Sequence, residues 1–132
     1  MRARWPRETP FTLNGEVDKA AHPILTKLGL GGKKPDLLVH GPGDMSNNHA
    51  IIEVKARFAK DTVTKDLETL SSFLSAAKYE RGIYLFYGNH NPADLCDRVS
   101  DLHRSLESPQ PIELWLHQAV GRPASQCCTL AV

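Results

Sequence analysis

Residues 35–55, PDLLVHGPGDMSNNHAIIEVK, hold two short apolar runs on either side of a segment built to turn. Leu37, Leu38 and Val39 make the first run, and Ala50, Ile51 and Ile52 the second. Between them GPGDMSNN combines Gly, Pro, Asp, Ser and Asn, each of which favours reversal of the chain. Two extended segments joined this way pair as a hairpin. With the loop centred near Asp44 and Met45, residues whose numbers sum to 89 face one another. Val39 then opposes Ala50, Leu37 opposes Ile52, and Asp36 opposes Glu53. Opposed residues point to the same side, with β-carbons about 5 Å apart. Strand alternation adds Lys55 to that side.

Such a cluster needs an explanation. Like charges directly opposed on a sheet are destabilising, and a desolvated carboxylate costs several kcal/mol unless it is paired. Lys55 offsets only part of the charge. A hard divalent cation offsets the rest, because Mg²⁺ sits on one or two carboxylates together with waters and a substrate phosphate. Asp36, Glu53 and the main-chain carbonyl of Val54 are the protein oxygens expected to hold it, with Mn²⁺ as a possible substitute. An ammonium beside the ion stabilises negative charge developing on a phosphoryl group. These parts suit hydrolysis of a phosphodiester. Glu-x-Lys on a strand is otherwise an ordinary pair of solvent-facing charges; the preceding Pro-Asp and the flanking apolar runs favour the site.

The remaining chain reads as alternating elements. Residues 1–14 are expected to be an irregular arm, with Arg2, Arg4 and Arg7. Residues 15–29 carry Val17, Ala20, Ala21, Ile24, Leu25 and Leu28 at helical steps, interrupted by Pro23. The glycine-rich connector that follows leads to strands over 36–40 and 50–56. A helix is predicted over 62–79, capped by Asp61 or Thr64. GIYLFYG, residues 82–88, reads as a strand buried on both faces. A helix over 92–106 starts on Pro92, and IELWLH, 112–117, reads as a last strand near an edge. Residues 119–132 are expected to be a flexible tail. The order implies one α/β domain over 15–118, with a central mixed sheet flanked by helices.

Pro35-Asp36 followed by Glu53-Val54-Lys55 resembles the motif of the PD-(D/E)xK nuclease superfamily, with its restriction-endonuclease-like fold. The order of helix, hairpin, helix and strand over residues 15–88 is similar to that family's core, and the 16–29 segment is similar to small stand-alone bacterial and phage members. The resemblance implies a Mg²⁺-dependent endonuclease-like deoxyribonuclease. Asp36 and Glu53 would be metal ligands and Lys55 the catalytic lysine. Glu16 would be a further acidic residue from the first helix, with helix-start stabilisation as its other reading. DNA is the implied partner, and a homodimer follows by analogy. The family also has a strand before the one bearing the Asp, for which the 30–34 connector leaves only a stub. The alternative is a non-catalytic nucleic-acid- or protein-binding module on the same fold, or an accessory domain in which these charges merely pair.

Bulk properties exclude little more. The 132 residues, 41% of them hydrophobic, suffice for one core, and the net charge of +1 marks no strongly acidic or basic partner. Residues 1–66 hold 11 Lys/Arg against 8 Asp/Glu, and residues 67–132 hold 5 against 7. The small basic excess therefore lies with the charged hairpin. No apolar run is long enough for a membrane span, and the N-terminus is not expected to be a secretory signal. Three cysteines without a CxxC pair suggest neither a disulfide framework nor zinc, hence a reducing, cytoplasmic setting. His40 and His49 are expected to oppose each other at the loop end of the hairpin. His90 reads as a turn residue, and His103 and His117 as partly solvated. Lys65 and Asp66 read as a solvated first helical turn, Tyr84, Phe86 and Tyr87 as core in preference to a stacking platform for bases, and Cys96 as a small core residue.

Overall fold

A computed structural model describes residues 12–15, 35–41 and 44–131. Six strands form one sheet in sequence order: β1 (Thr12–Gly15), β2 (Leu37–Gly41), β3 (Asp44–Lys55), β4 (Arg81–Tyr87), β5 (Ile112–His117) and β6 (Ser125–Leu130). The pairs β1–β2, β2–β3 and β5–β6 are antiparallel, whereas β3–β4 and β4–β5 are parallel. The fold is thus α/β with a mixed sheet. Helix α1 (Lys60–Ala76) links β3 to β4, and α2 (Pro92–Arg104) links β4 to β5. Parallel neighbours need such crossovers, and two of one hand advancing in one direction put both helices on the same face.

The core lies between that face and the helices. Val63, Leu67, Leu70 and Phe73 of α1, with Leu95 and Val99 of α2, pack on Ile51, Tyr84, Phe86, Leu114 and Leu116. These apolar positions recur at helical spacing along α1 and α2, and at alternate positions along the strands. Gly82 lets α1 approach closely, since a β-carbon there would lie 2.7 Å from a Leu74 methyl. A smaller cluster of Val39 and Ala50, with Leu37, Ile52 and Ile83, belongs to the opposite side of the strands.

Local capping differs from the sequence expectation. Neither Asp61 nor Thr64 caps α1. Its N-cap is Ala59 without a side-chain bond, and Thr64 instead donates back to the Lys60 carbonyl at 2.7 Å. Asn91 caps α2 by accepting from the Asp94 N–H at 2.9 Å, and Pro92 occupies the first turn as expected.

Several segments depart from the pattern read in the sequence. β4 is not buried on both faces: Tyr84 and Phe86 are fully buried, Ile83 and Leu85 only half-buried, and Tyr87 exposed. β5 is not at an edge, because residues 125–130 form β6 beside it instead of a tail. A disulfide joins Cys96 of α2 to Cys128 of β6, against the expectation of unpaired thiols. Two cysteines far apart in sequence give no local sign of such a bond. Thr12–Gly15 forms a strand on β2, where an arm and the start of a helix were expected. The strand flanking the Asp-bearing one therefore comes from before residue 16, not from the 30–34 connector. The predicted helix otherwise lies outside the described residues, as does Glu16. No helix among the described residues is long and apolar enough to cross a membrane.

Candidate functional site

The hairpin register near the site is the expected one. Leu37 pairs with Ile52, Leu38 with Ile51 and Val39 with Ala50, so the sum of 89 holds where the strands approach Asp36 and Glu53. Nearer the turn it breaks. His40 pairs with Asn48 and Gly41 with Asp44, through two register shifts that absorb the extra residues. The strands therefore run further into the loop than its composition suggested. The shift also removes the expected His40–His49 opposition; the His49 ring instead meets Glu80, with Nδ1 3.2 Å from Oε2.

Asp36 is exposed immediately before β2 and accepts the Val54 N–H on Oδ2 at 2.8 Å. Its carboxylate thus crosses to β3 beside Glu53. Glu53 is 5% exposed, on the helix-covered face. Its pKa is pushed up to about 8, first by burial and then by the negative charges of Asp36 and Asp66. A hydrogen bond with the Asp36 carboxyl adds to the rise, and one from the Asp36 main chain opposes it. The two carboxyls predicted to meet therefore do so, and the buried one tends to keep a proton.

Lys55 lies on the same face, two residues on, where it is paired across the sheet with Phe86 as Glu53 is with Tyr84. Its ammonium does not turn back to Glu53. Nζ lies 3.0 Å from Asp66 Oδ2 on α1. The Tyr84 hydroxyl donates to the same oxygen at 2.7 Å. Asp66 is therefore no solvated first-turn residue: it is a third carboxylate at the site, in the second turn of α1. Sequence reasoning placed Tyr84 in the core correctly and missed the use of its hydroxyl. Burial pushes that hydroxyl far above the usual tyrosine range, so it serves as a donor.

The segment leaving β3 is held at two points, Ala56 and Phe58. His90 Nε2 donates to the Ala56 carbonyl at 2.8 Å, and the Gln118 amide donates to the His90 carbonyl at 2.9 Å. Arg98 of α2 lies over the Phe58 ring at 4.0 Å. His90 is thus a brace beside the site and more than a turn residue. His103, expected to be partly solvated, is 1% exposed and donates from Nε2 to the Gln110 carbonyl at 2.7 Å.

The site lies at the carboxyl end of β3, the sheet end where open α/β folds place ligands. Among the described residues no three His, Cys, Asp or Glu side chains form a ready-made metal cage. The donor set present is two adjoining carboxylates, a number that suits a cation retaining most of its waters. Asp36, Glu53 and Lys55 are brought together with Asp66 and Tyr84; the recorded Val54 contact runs through its N–H. Compared with known proteins, the chain matches no protein-family model, no curated protein and no solved structure.

Proposed function

We propose that the protein is a Mg²⁺-dependent nuclease of the restriction-endonuclease-like type, hydrolysing phosphodiester bonds of DNA. One observation carries this reading: the buried Glu53 carboxyl adjoins Asp36 and feels the negative charge of Asp66, and the nearby cation, Lys55, pairs with Asp66. Fully ionised, these four groups have a formal charge of −2, which one divalent cation balances. A purely structural ion cluster has no need of this excess, since an apolar residue in place of Glu53 is cheaper.

Asp36 and Glu53 would hold the ion, with the Val54 carbonyl as a further oxygen. When bound, the ion supplies Lewis-acid stabilisation of the charge developing on the phosphoryl group. Glu53 must give up its proton to become a ligand, so ion binding and deprotonation are linked. Lys55 contributes a fixed positive charge next to the same phosphoryl group. The apolar faces of Ile51 and Tyr84 exclude water from beneath the site and strengthen each of these interactions.

The test is cleavage of single-stranded, nicked and duplex DNA with Mg²⁺ or Mn²⁺, comparing wild type with Asp36→Ala and Lys55→Ala. Metal-dependent cleavage by wild type, lost in both variants, is expected. Equal activity in all three proteins identifies a contaminant and overturns the proposal. Binding of DNA without cleavage assigns the fold to the non-catalytic module instead.

A further inference from the structure

We propose that Asp66 is a positioning residue for Lys55, held in turn by Tyr84. This deepens the nuclease reading and rests on it for the chemical role of the lysine. A lysine carries a compact charge on a flexible four-carbon stem, so something else must fix its head. Here Asp66 Oδ2 receives both the Lys55 ammonium at 3.0 Å and the Tyr84 hydroxyl at 2.7 Å. The Tyr84 ring is fully buried and packs on Phe86 with centroids 4.8 Å apart, which makes its hydroxyl a fixed point. A chain of contacts then runs from the core ring on β4, through the α1 carboxylate, to the β3 ammonium.

The arrangement also divides the carboxylates by task. Glu53 and Lys55 share one face of β3, yet the ammonium pairs with Asp66. That leaves the Asp36–Glu53 pair facing an incoming cation without a lysine inserted between them. Asp66 acts through Lys55 and is not itself a catalytic residue. The register adds the reason for the tyrosine: Glu53 and Tyr84 are cross-strand partners, and Asp66 spans from Tyr84 to Lys55 over the next position along the face.

The experiment has two readouts on wild type, Asp66→Asn and Tyr84→Phe. The first is acylation of Lys55 by an activated ester at one fixed pH, quantified by peptide mass spectrometry against the exposed Lys60 and Lys65 as internal references. The second is DNA cleavage with Mn²⁺, resolved into kcat and KM. Release of the lysine head in either variant is expected to raise Lys55 labelling severalfold relative to the references. The same release is expected to lower kcat about 10- to 100-fold, with KM within about twofold. Lys55 labelling unchanged in both variants overturns the proposal whether or not the protein cleaves DNA. A loss expressed only in KM also overturns it. If wild type fails to cleave while labelling responds, the nuclease reading falls and the positioning role stands. Should Asp66→Asn fail to fold, Tyr84→Phe decides alone, since it removes one hydroxyl and keeps the ring.

Discussion

Burial of Glu53 makes fold stability depend on pH in an unusual direction. Its carboxyl titrates at about 8 in the folded protein, against 4.5 for the free side chain. Between these values the folded state holds a proton that the unfolded chain has released. Stability from this group is therefore complete below about 4.5 and is lost as pH rises through about 8. The difference between these two values sets a ceiling of about 5 kcal/mol. At a urea m-value of about 2 kcal/mol/M, that is a fall of about 2 M in the unfolding midpoint between pH 5 and pH 9. Most proteins instead gain stability as carboxylates ionise on the way to neutral pH. Urea unfolding at pH 5, 6, 7, 8 and 9 measures the slope, and Glu53→Gln isolates it, because the amide keeps the shape and does not titrate. Wild type should lose stability with rising pH and the variant should be nearly flat over the same range. A wild-type midpoint that holds or rises from pH 5 to 9, or a variant with the wild-type slope, refutes the reasoning. On the proposed metal reading, Mn²⁺ at pH 8 to 9 restores the wild-type midpoint and leaves Glu53→Gln unmoved, since an ion that binds the native state stabilises it by mass action.

Two further outcomes test the packing. The Tyr79 hydroxyl is buried without a hydrogen-bond partner among the described residues, so Tyr79→Phe should be neutral or stabilising by up to about 1 kcal/mol in urea unfolding; a loss of that size would mean that the hydroxyl has a partner. The Cys96–Cys128 bond closes a loop across a sequence separation of 32, and Cys128→Ser should cost about 2–4 kcal/mol, with Cys127→Ser near neutral. Thiol counting under non-reducing denaturation checks the pairing directly: one reactive thiol agrees with it and three exclude it.

The parts of this molecule that were legible in the sequence are those governed by local period. α1 and α2 follow their apolar stripes to within a few residues, and the Asp36–Glu53 opposition follows from counting back from a turn. The count survived although the turn was misplaced, because the two register shifts lie on the loop side of Val39. What the sequence hid depends on partners distant in the chain. β6 carries the unpromising run SQCCTL, and it is a strand because β5 offers it an edge and Cys96 a bond. The half-buried face of β4 escaped notice because GIYLFYG is apolar throughout, and composition does not say which face the helices will cover.

Asp66 was the most consequential omission, for a reason that can be stated in terms of charge. A helix-start aspartate looks solvated when taken alone, since the dipole and water both favour it there. Its environment is decided by α1 crossing over β3 and β4, which carries it to 17% exposure between an ammonium and a phenol. Once there it changes its neighbours. It pairs with Lys55 and sets a further negative charge near Glu53, so the lysine that the motif suggests as the neutralising partner leaves Glu53 to a proton. A protonated acid is a poor reason to keep a glutamate in a core, where a leucine packs with no desolvation cost. The position makes physical sense if that proton is exchangeable for something of higher charge, which is why the pH slope and its response to Mn²⁺ bear on function as directly as any cleavage assay.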